Sequence, residues 1–383
     1  MPADIDIKKK FRFGQAAMVT IYVLACLILL TLIFLIIKDS GAPDSLVLET
    51  IGIIILQWII HEWGHLIGGW ITGYRFLLYR IGPFALARID HKIRFIRIRV
   101  PEISSRTLMS PPKQKADGRI SVGPFISGGI WGNVLMTAIS AILIQSTSDS
   151  SLRSFYYLMA CIGALFVVIN ALPFHMESFD KLYNDGYTLI RLHRNKELNY
   201  GLWLRLKVTQ EITEGKRLAE MPESWFTKID TKDTKIWRVK WYLDRHEFAR
   251  TEAAAKELLD NELLTESERS LLKLILIYCQ AIQGEKVRWK YLGKASVQRF
   301  MFQNQTHNIV LLTYYIQALF YDHNLATAHL FQEKFAHLSA HNPYLGNVKS
   351  TQELFHLAED KYERELAKEN DVSADYTAQL SEK

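Results

Sequence analysis

Residues 59–67 read IIHEWGHLI, and they lie inside an apolar run that covers residues 47–72. Two histidines and a glutamate therefore stand in a segment that is long enough to cross a bilayer as a helix. An ionisable side chain costs free energy inside a membrane, so such residues usually face a protein interior and have a function. The stretch predicts a membrane helix with one functional polar face.

Three other apolar runs surround this helix in the sequence, at residues 16–37, 121–145 and 153–172. The first holds no charged residue and is not followed by a cleavage site of small residues, so it reads as a retained anchor rather than a signal peptide. About four membrane spans are therefore predicted, within a membrane-embedded domain over residues 1–193.

Positive charge is concentrated beside these runs, in a chain whose net charge is +6. Lys8, Lys9, Lys10 and Arg12 precede the first run, and residues 73–119 hold eleven Lys/Arg against three Asp/Glu. Basic segments beside membrane spans stay in the cytoplasm and face the lipid surface, which makes nucleic acid a poor candidate partner. The pattern predicts a multi-pass protein of the cytoplasmic membrane, with its N-terminus and the chain after residue 172 in the cytoplasm.

The basic segment contains HKIRFIRIRV at residues 91–100, where apolar and cationic residues alternate with one phase slip at Phe95–Ile96. Alternation with period two is typical of a strand, and a phase slip is typical of a β-bulge. We therefore expect a bulged strand at the edge of a small sheet on the membrane surface.

The spacing of the polar residues in IIHEWGHLI suits a metal. His61 and His65 are four residues apart, so both imidazoles can reach one ion from the same helix face, with Glu62 close by. Zinc peptidases use this H-E-x-x-H pattern, in which the glutamate takes a proton from water and later passes it to the leaving amine. Gly64 and Gly68 form a G-x-x-x-G pair, which predicts a second helix packed closely against this one.

A catalytic zinc site needs a third protein ligand. Candidates follow the fourth apolar run, where residues 170–187 read NALPFHMESFDKLYNDGY. By their chemistry His175, Glu177, Asp180 and Asp185 are all eligible, and periodicity does not choose among them.

HEWGH in a membrane span, followed by Asn-x-x-Pro and then Asp-Gly, resembles the site-2 protease family of intramembrane zinc metalloproteases over about residues 47–193. The resemblance implies that Asp185 is the third ligand beside His61 and His65, that Glu62 is the general base, and that each chain binds one Zn²⁺. It also implies a substrate that is a transmembrane or signal-peptide-like segment, cleaved in or near the cytoplasmic half of the bilayer.

The same resemblance implies how a substrate is held. Asn170 and Pro173 would position it in extended form, and Gly82-Pro83 would lead into a membrane-associated β-hairpin whose edge can add a substrate strand. The linker before the Asp-Gly pair is longer than in the compact family form, so Asp180 stays open as an alternative third ligand. Gly123-Pro124 also stands further from Asn133 than the family's Gly-Pro…Asn pattern places it.

Residues 200–383 form a second predicted domain, which is charged, aromatic-rich and helical in pattern. Three aromatic-led segments, WYLDRH, YCQAIQ and YIQALF, begin at Trp241, Tyr278 and Tyr315, which are 37 residues apart in both intervals. This period is near that of tetratricopeptide-type helical hairpins, which the segment weakly resembles. A cytoplasmic α-solenoid that binds a peptide or protein partner is predicted, with an irregular helical bundle as the alternative.

The predicted fold class is mainly α: a polytopic membrane helical bundle with a small membrane-associated β-hairpin, followed by a cytoplasmic helical-repeat-like domain. The predicted function is that of an intramembrane zinc endopeptidase. The alternative is a catalytically inactive membrane scaffold whose helical domain binds a partner.

Overall fold

A computed structural model of the protein describes most of the chain. The described residues are 24, 27–35, 43–81, 84–89, 92–97, 107–173, 175–176, 182–262, 264–340 and 342–381. They are mainly helical and divide into two compact units, Met1–Phe76 with Met109–Trp203, and Leu77–Leu108 with Leu204–Lys383. Each unit is described by itself below.

Apolar helices dominate the first unit. They are α1 (residues 27–35), α2 (Pro43–Ile71), α3 (Gly123–Ser146), α4 (Ser150–Ala171), α5 (Asp185–Arg194) and the start of α6 (Lys196–Thr213). Among the described residues, three stretches are long and apolar enough to cross a membrane, Val47–Ile71, Gly123–Ser146 and Ser150–Ala171. These coincide with three of the four predicted spans. The remaining one, 16–37, lies mostly outside the described residues, and its described residue 24 and residues 27–35 are helical.

Helices α2 and α3 pack backbone to backbone. A Cβ built on Gly64 would collide with the carbonyl of Gly128, and one on Gly68 would collide with the carbonyl of Pro124. Small residues permit this approach. Pro124 in the first turn of α3 has no backbone N–H of its own that would need a hydrogen-bond acceptor. The close helix contact predicted from the G-x-x-x-G pair is confirmed.

Helix α4 packs with α2 and α3. Asp149 caps its start by accepting a hydrogen bond from the Leu152 backbone N–H at 2.8 Å. Ile53 of α2 and Leu158 and Ile162 of α4 are almost fully buried in one apolar cluster. The three helices therefore share a core that does not depend on contact with lipid.

A small antiparallel sheet follows α2, with strands β1 (Arg75–Ile81), β2 (Phe84–Ile89), β3 (Lys92–Arg97) and β4 (Thr107–Ser110). Their order is β3-β2-β1-β4, so the predicted edge position of the 91–100 segment is confirmed for β3. The predicted bulge is wrong, because Leu86 pairs with Phe95 and Ala85 with Ile96 in unbroken register. Strand β3 is exposed along nearly its whole length, so no buried face requires its apolar residues to alternate.

The second unit contains the helices that follow. They are α7 (Ser224–Thr227), α8 (Lys232–Asp244), α9 (Phe248–Asn261), α10 (Glu266–Gln283), α11 (Ala295–Gln303), α12 (Asn308–Phe320), α13 (Leu325–Ser339) and α14 (Leu345–Ser381). Contacts join α8 to α9, α10 to α11, and α12 to α13, while α14 packs on α10 and α12.

The residues at 37-residue spacing have equivalent positions in this unit. Trp241, Tyr278 and Tyr315 lie in the second half of α8, α10 and α12, the first helices of the three pairs, and all three side chains are buried. Tyr278 also donates a hydrogen bond to the Leu354 carbonyl of α14 at 2.8 Å. The 37-residue spacing therefore marks equivalent positions in three helix pairs, whereas membership of a repeat family stays a prediction.

Gly64→Ala is expected to destabilise the first unit, because its Cβ would push α3 away from α2. Overpacking of this kind costs about 1–3 kcal/mol, which thermal unfolding of the detergent-solubilised protein will show as a lower midpoint. Gly52→Ala in the same helix is the matched control, since a Cβ there meets nothing within 4 Å. A midpoint that falls equally in both variants would contradict the close packing.

Candidate metal centre

Three side chains from two helices converge in the first unit: His61 and His65 of α2, and Asp185 at the start of α5. The His61 Nε2 lies 3.2 Å and the His65 Nε2 lies 3.3 Å from Asp185 Oδ2. The two Nε2 atoms are 3.1 Å apart. Within the described part of the chain, this is the one group of His, Cys, Asp or Glu side chains arranged to hold a metal ion.

The size of this triangle suits zinc. Ligand atoms bound tetrahedrally at about 2.0–2.1 Å from zinc are about 3.3 Å apart, close to the three distances found here. Three protein ligands leave the fourth tetrahedral position for water or substrate, as in catalytic zinc sites.

Hydrogen bonds on the far side of each ring determine which nitrogen carries the proton. His61 Nδ1 lies 2.9 Å from Asn133 Oδ1, and His65 Nδ1 lies 2.8 Å from the Phe125 carbonyl oxygen. Both partners can only accept, so each Nδ1 donates and each Nε2 presents a lone pair to the centre. Two imidazole lone pairs and a carboxylate oxygen thus meet with no proton required among them. This donor set fits a divalent cation.

The orientation of the Asn133 amide is fixed by Gln57. The Asn133 Nδ2 donates to the Gln57 carbonyl at 3.0 Å and to Gln57 Oε1 at 2.8 Å, which leaves Oδ1 for His61. Gln57 Nε2 in turn donates to the Met159 carbonyl at 3.1 Å. Both amide side chains are fully buried. A hydrogen-bonded relay therefore runs from α4 through α2 and α3 to the first histidine, and it sets the tautomer of that ring.

Asn184 places the carboxylate. It caps α5 by accepting a hydrogen bond from the Tyr187 backbone N–H at 3.0 Å, and its Nδ2 donates to the Ile169 carbonyl at 2.7 Å and to the Leu172 carbonyl. The start of α5 is thereby tied to the end of α4.

Two glycines make the required space. A Cβ on Gly129 of α3 would collide with the rings of both His61 and His65, so the imidazoles lie against bare backbone. A Cβ on Gly186 would collide with the Ala171 carbonyl at the end of α4. The glycine of the Asp-Gly pair is therefore needed for α5 to approach closely enough to deliver its aspartate.

Glu62, the predicted general base, is buried beside this centre with a relative exposure of 8 %. It directly follows His61 in α2, so it stands next to one of the candidate ligands in the chain. A carboxylate in this position could exchange a proton with a molecule in the fourth coordination position.

Other residues predicted for the site have mixed outcomes. Asn170 donates to the Phe166 carbonyl one turn back in its own helix at 2.9 Å, and Pro173 follows the end of α4 half-buried. Their role in positioning a substrate stays a prediction. Gly82, Pro83, Glu177 and Asp180 lie outside the described residues, as does the side chain of His175.

Sequence reasoning missed three residues that support the site. Gln57, Asn184 and the role of Asn133 follow from contacts between helices far apart in the chain. Gln57 offered one signal, because it is a polar residue one turn before His61 within the apolar run.

No protein-family model, no curated protein and no solved structure matches this chain. The reading of the metal centre therefore depends on its geometry and on the motifs in its sequence.

Asn133→Leu is expected to lower the affinity for zinc about 10–100-fold, because His61 loses the acceptor that orients its ring and fixes its tautomer. Competition with a chromophoric chelator will measure the zinc affinity. The matched control is Ser140→Ala, since Ser140 is a buried polar residue of the same helix that bonds only to the Met136 carbonyl. Equal affinities for both variants would refute a role of Asn133 in positioning the ligand.

Asp185→Ala is expected to abolish stoichiometric zinc binding, whereas Asp180→Ala should retain about one zinc per chain. Elemental analysis of the two purified variants, beside the unchanged protein, provides the measurement. Retention of zinc by the first variant and its loss from the second would assign the third ligand to Asp180.

Proposed function

We propose that this protein is an intramembrane zinc metalloendopeptidase that cleaves a transmembrane or signal-peptide-like substrate. One observation carries the proposal: two imidazole nitrogens and a carboxylate oxygen lie 3.1–3.3 Å apart on helices of a bundle whose spans are long and apolar enough to cross a membrane. Placing such polar groups in a membrane costs free energy, so their presence there indicates a function. In the H-E-x-x-H pattern, Glu62 is the residue that can act as the general base.

The chain's own residues divide the chemistry among them. His61, His65 and Asp185 would hold the ion, and the relay through Gln57 and Asn133 keeps the first of these in its metal-binding tautomer. A bound Zn²⁺ supplies a Lewis acid that polarises a carbonyl and lowers the pKa of water. Glu62 would accept the proton of the attacking water and return it to the leaving nitrogen.

The depth of the site agrees with a substrate inside the bilayer. His65 and His61 precede the end of α2 by six and ten residues, which is about 9 and 15 Å at 1.5 Å per residue. A peptide bond must leave its helix before it can be attacked, because helical carbonyls are already hydrogen-bonded. The segment between α4 and α5 precedes Asp185 in the chain, so it is the proposed lining of an unwound substrate.

The face of the sheet formed by β2 and β3 supports membrane association. Phe84, Leu86, Ile93 and Phe95 are exposed large apolar residues, and the rings of Phe84 and Phe95 stack 5.5 Å apart. Two cationic residues pair with members of this group, Arg97 with Phe84 and Arg88 with Ile93. Exposed aromatic and basic side chains together favour the interface of an anionic lipid surface, and the edge strand β3 offers backbone groups for strand addition.

The positive charge beside the spans supports a multi-pass protein of the cytoplasmic membrane, with the basic segment and the helical second unit in the cytoplasm. The helical unit would bind a peptide or protein partner. An inactive membrane scaffold, the alternative function, would bind such a partner but would not cleave a substrate.

Glu62→Gln is expected to retain about one zinc per chain and to abolish cleavage, since the amide keeps the size of the side chain but cannot accept the proton. Zinc content and cleavage of a co-expressed membrane peptide, followed by its change in size, are the measurements. Cleavage by this variant at the original rate would remove the glutamate from the mechanism. Absence of bound zinc from the wild-type protein would refute the proposed enzymatic function altogether.

A further inference from the structure

The second unit contains an open cavity of about 690 Å³. This volume falls within the range of sites that bind ligands, about 300–1,000 Å³. A short 3₁₀ helix (Trp289–Tyr291), α11 and α12 contribute side chains to its wall. None of the residues that line it belongs to the metal centre, so the cavity is a separate candidate site.

Aromatic side chains that the fold leaves open to solvent line this cavity. Phe302 in the last turn of α11 is 74 % exposed, and Tyr321 directly after α12 is 58 % exposed. Trp289 and Tyr314 line the same space and are half-buried. Packing of the core does not account for the two exposed rings, because little of their surface is removed from water. Exposed aromatic rings around a cavity indicate a surface that another molecule covers.

The arrangement of the rings favours a compact group over a flat one. The rings of Trp289 and Tyr321 have their centroids 5.3 Å apart and are inclined at 54° to each other. Tyr314 stacks on Phe331 of α13 with centroids 5.0 Å apart, which fixes its position in the wall. Two rings inclined at 54° cannot both lie flat on one planar ligand. They form a wedge, which suits a small non-planar apolar group such as the pyrrolidine ring of proline.

The polar groups of the wall are mainly hydrogen-bond donors. Lys290 and the indole N–H of Trp289 can only donate, while the side-chain amides of Gln298 and Gln317 can donate as well as accept. None of these four side chains makes a hydrogen bond or an ion pair with another described residue, and all four keep accessible surface. The described lining residues include no aspartate or glutamate. The wall therefore matches a ligand that is rich in acceptors.

A proline-rich peptide in the polyproline II conformation presents such acceptors. Its carbonyl groups are free, because this helix has no internal hydrogen bonds, and its prolines have no N–H that would need an acceptor. An α-helical peptide has most of its carbonyls engaged within its own helix. Addition of a strand requires a sheet edge, which these helical elements do not provide. Aromatic-lined grooves are a recurring means of recognising polyproline II segments.

We propose that this cavity binds a proline-rich segment of a protein partner in the polyproline II conformation. Proline rings would pack against Trp289, Phe302 and Tyr321, and carbonyl groups of the segment would accept hydrogen bonds from Trp289 and Gln317. Lys290, with no carboxylate beside it in the wall, favours a segment that carries an acidic residue. The inference rests on the proposed role of the second unit in binding a partner.

The test uses the full-length protein in detergent and a fluorescein-labelled peptide of eight prolines followed by one glutamate, with binding followed by fluorescence anisotropy. A comparison peptide has alanine in place of every proline, which restores the backbone N–H groups and removes the rings. We expect it to bind at least about tenfold more weakly, because it must also be ordered on binding. A second comparison peptide has lysine in place of the glutamate and should bind more weakly, because its charge repels Lys290.

Tyr321→Ala is expected to weaken binding of the proline peptide about tenfold or more, as truncation of an aromatic anchor does at interfaces. Gln317→Met should also weaken it, because methionine keeps the length of the side chain and removes the amide donors. Leu330→Ala is the matched control, since Leu330 of α13 is a 64 % exposed apolar residue of the same unit that does not line the cavity. Its affinity should equal that of the unchanged protein.

Thermal unfolding without peptide separates binding from folding. Because most of the Tyr321 side chain is in solvent, Tyr321→Ala should leave the midpoint close to that of the unchanged protein. A large fall would make the ring a structural element and overturn the proposal. Failure of the proline peptide to bind, equal binding of the alanine peptide, tighter binding of the lysine peptide, or an equal loss of affinity in Tyr321→Ala and Leu330→Ala would also overturn it. So would a dimer that Tyr321→Ala dissociates, because a second copy of the chain would then occupy the surface.

The assay also distinguishes this inference from the proposed peptidase activity. Glu62→Gln should bind the proline peptide with the affinity of the unchanged protein, because Glu62 does not line the cavity. Loss of peptide binding in Tyr321→Ala should in turn leave the zinc content at about one per chain. Loss of zinc from Tyr321→Ala would overturn the independence of the two sites.

Discussion

Three electron-pair donors held within 3.1–3.3 Å of one another are the constraint on which the first unit depends. Nothing among the donors themselves favours this arrangement, since each presents negative potential to the others. It is maintained from outside, by acceptors on the far sides of both histidines and by the cap that ties α5 to α4. The glycines of α2 and α3 let the helices approach until those acceptors are within reach. Packing, capping and hydrogen bonding among these helices therefore all hold the same three donor atoms in place.

Local patterns predicted the parts of this arrangement that a single helix determines. The apolar runs located three helices that are long and apolar enough to cross a membrane. The four-residue spacing put His61 and His65 on one face, and Gly64 and Gly68 predicted the close contact with α3. The Asp-Gly pair suggested a third ligand through a resemblance, while chemistry alone left four candidates. In each case the decisive information lay within a few residues of sequence.

Contacts between distant segments were beyond such reasoning. Gln57 and Asn133 are 76 residues apart, and an amide in a span gives no indication of its partner. The Phe125 carbonyl carries no side-chain signature at all. The bulge expected at Phe95–Ile96 failed for a related reason: alternation reports burial of one face, and an edge strand exposed along its length is not subject to that rule. In the second unit the 37-residue spacing found buried aromatic residues.

One physical rule accounts for the buried polar groups around the metal centre. A polar group enclosed by protein must find a partner of complementary character, or its desolvation is uncompensated. Gln57 and Asn133 satisfy the rule internally, each amide oxygen facing an N–H and each amide nitrogen facing a carbonyl. The two Nε2 atoms and Asp185 Oδ2 do not, because all three are electron-pair donors, and a cation is what completes them. Enclosed groups that the fold itself leaves incomplete thus indicate both where a ligand belongs and which charge it must carry.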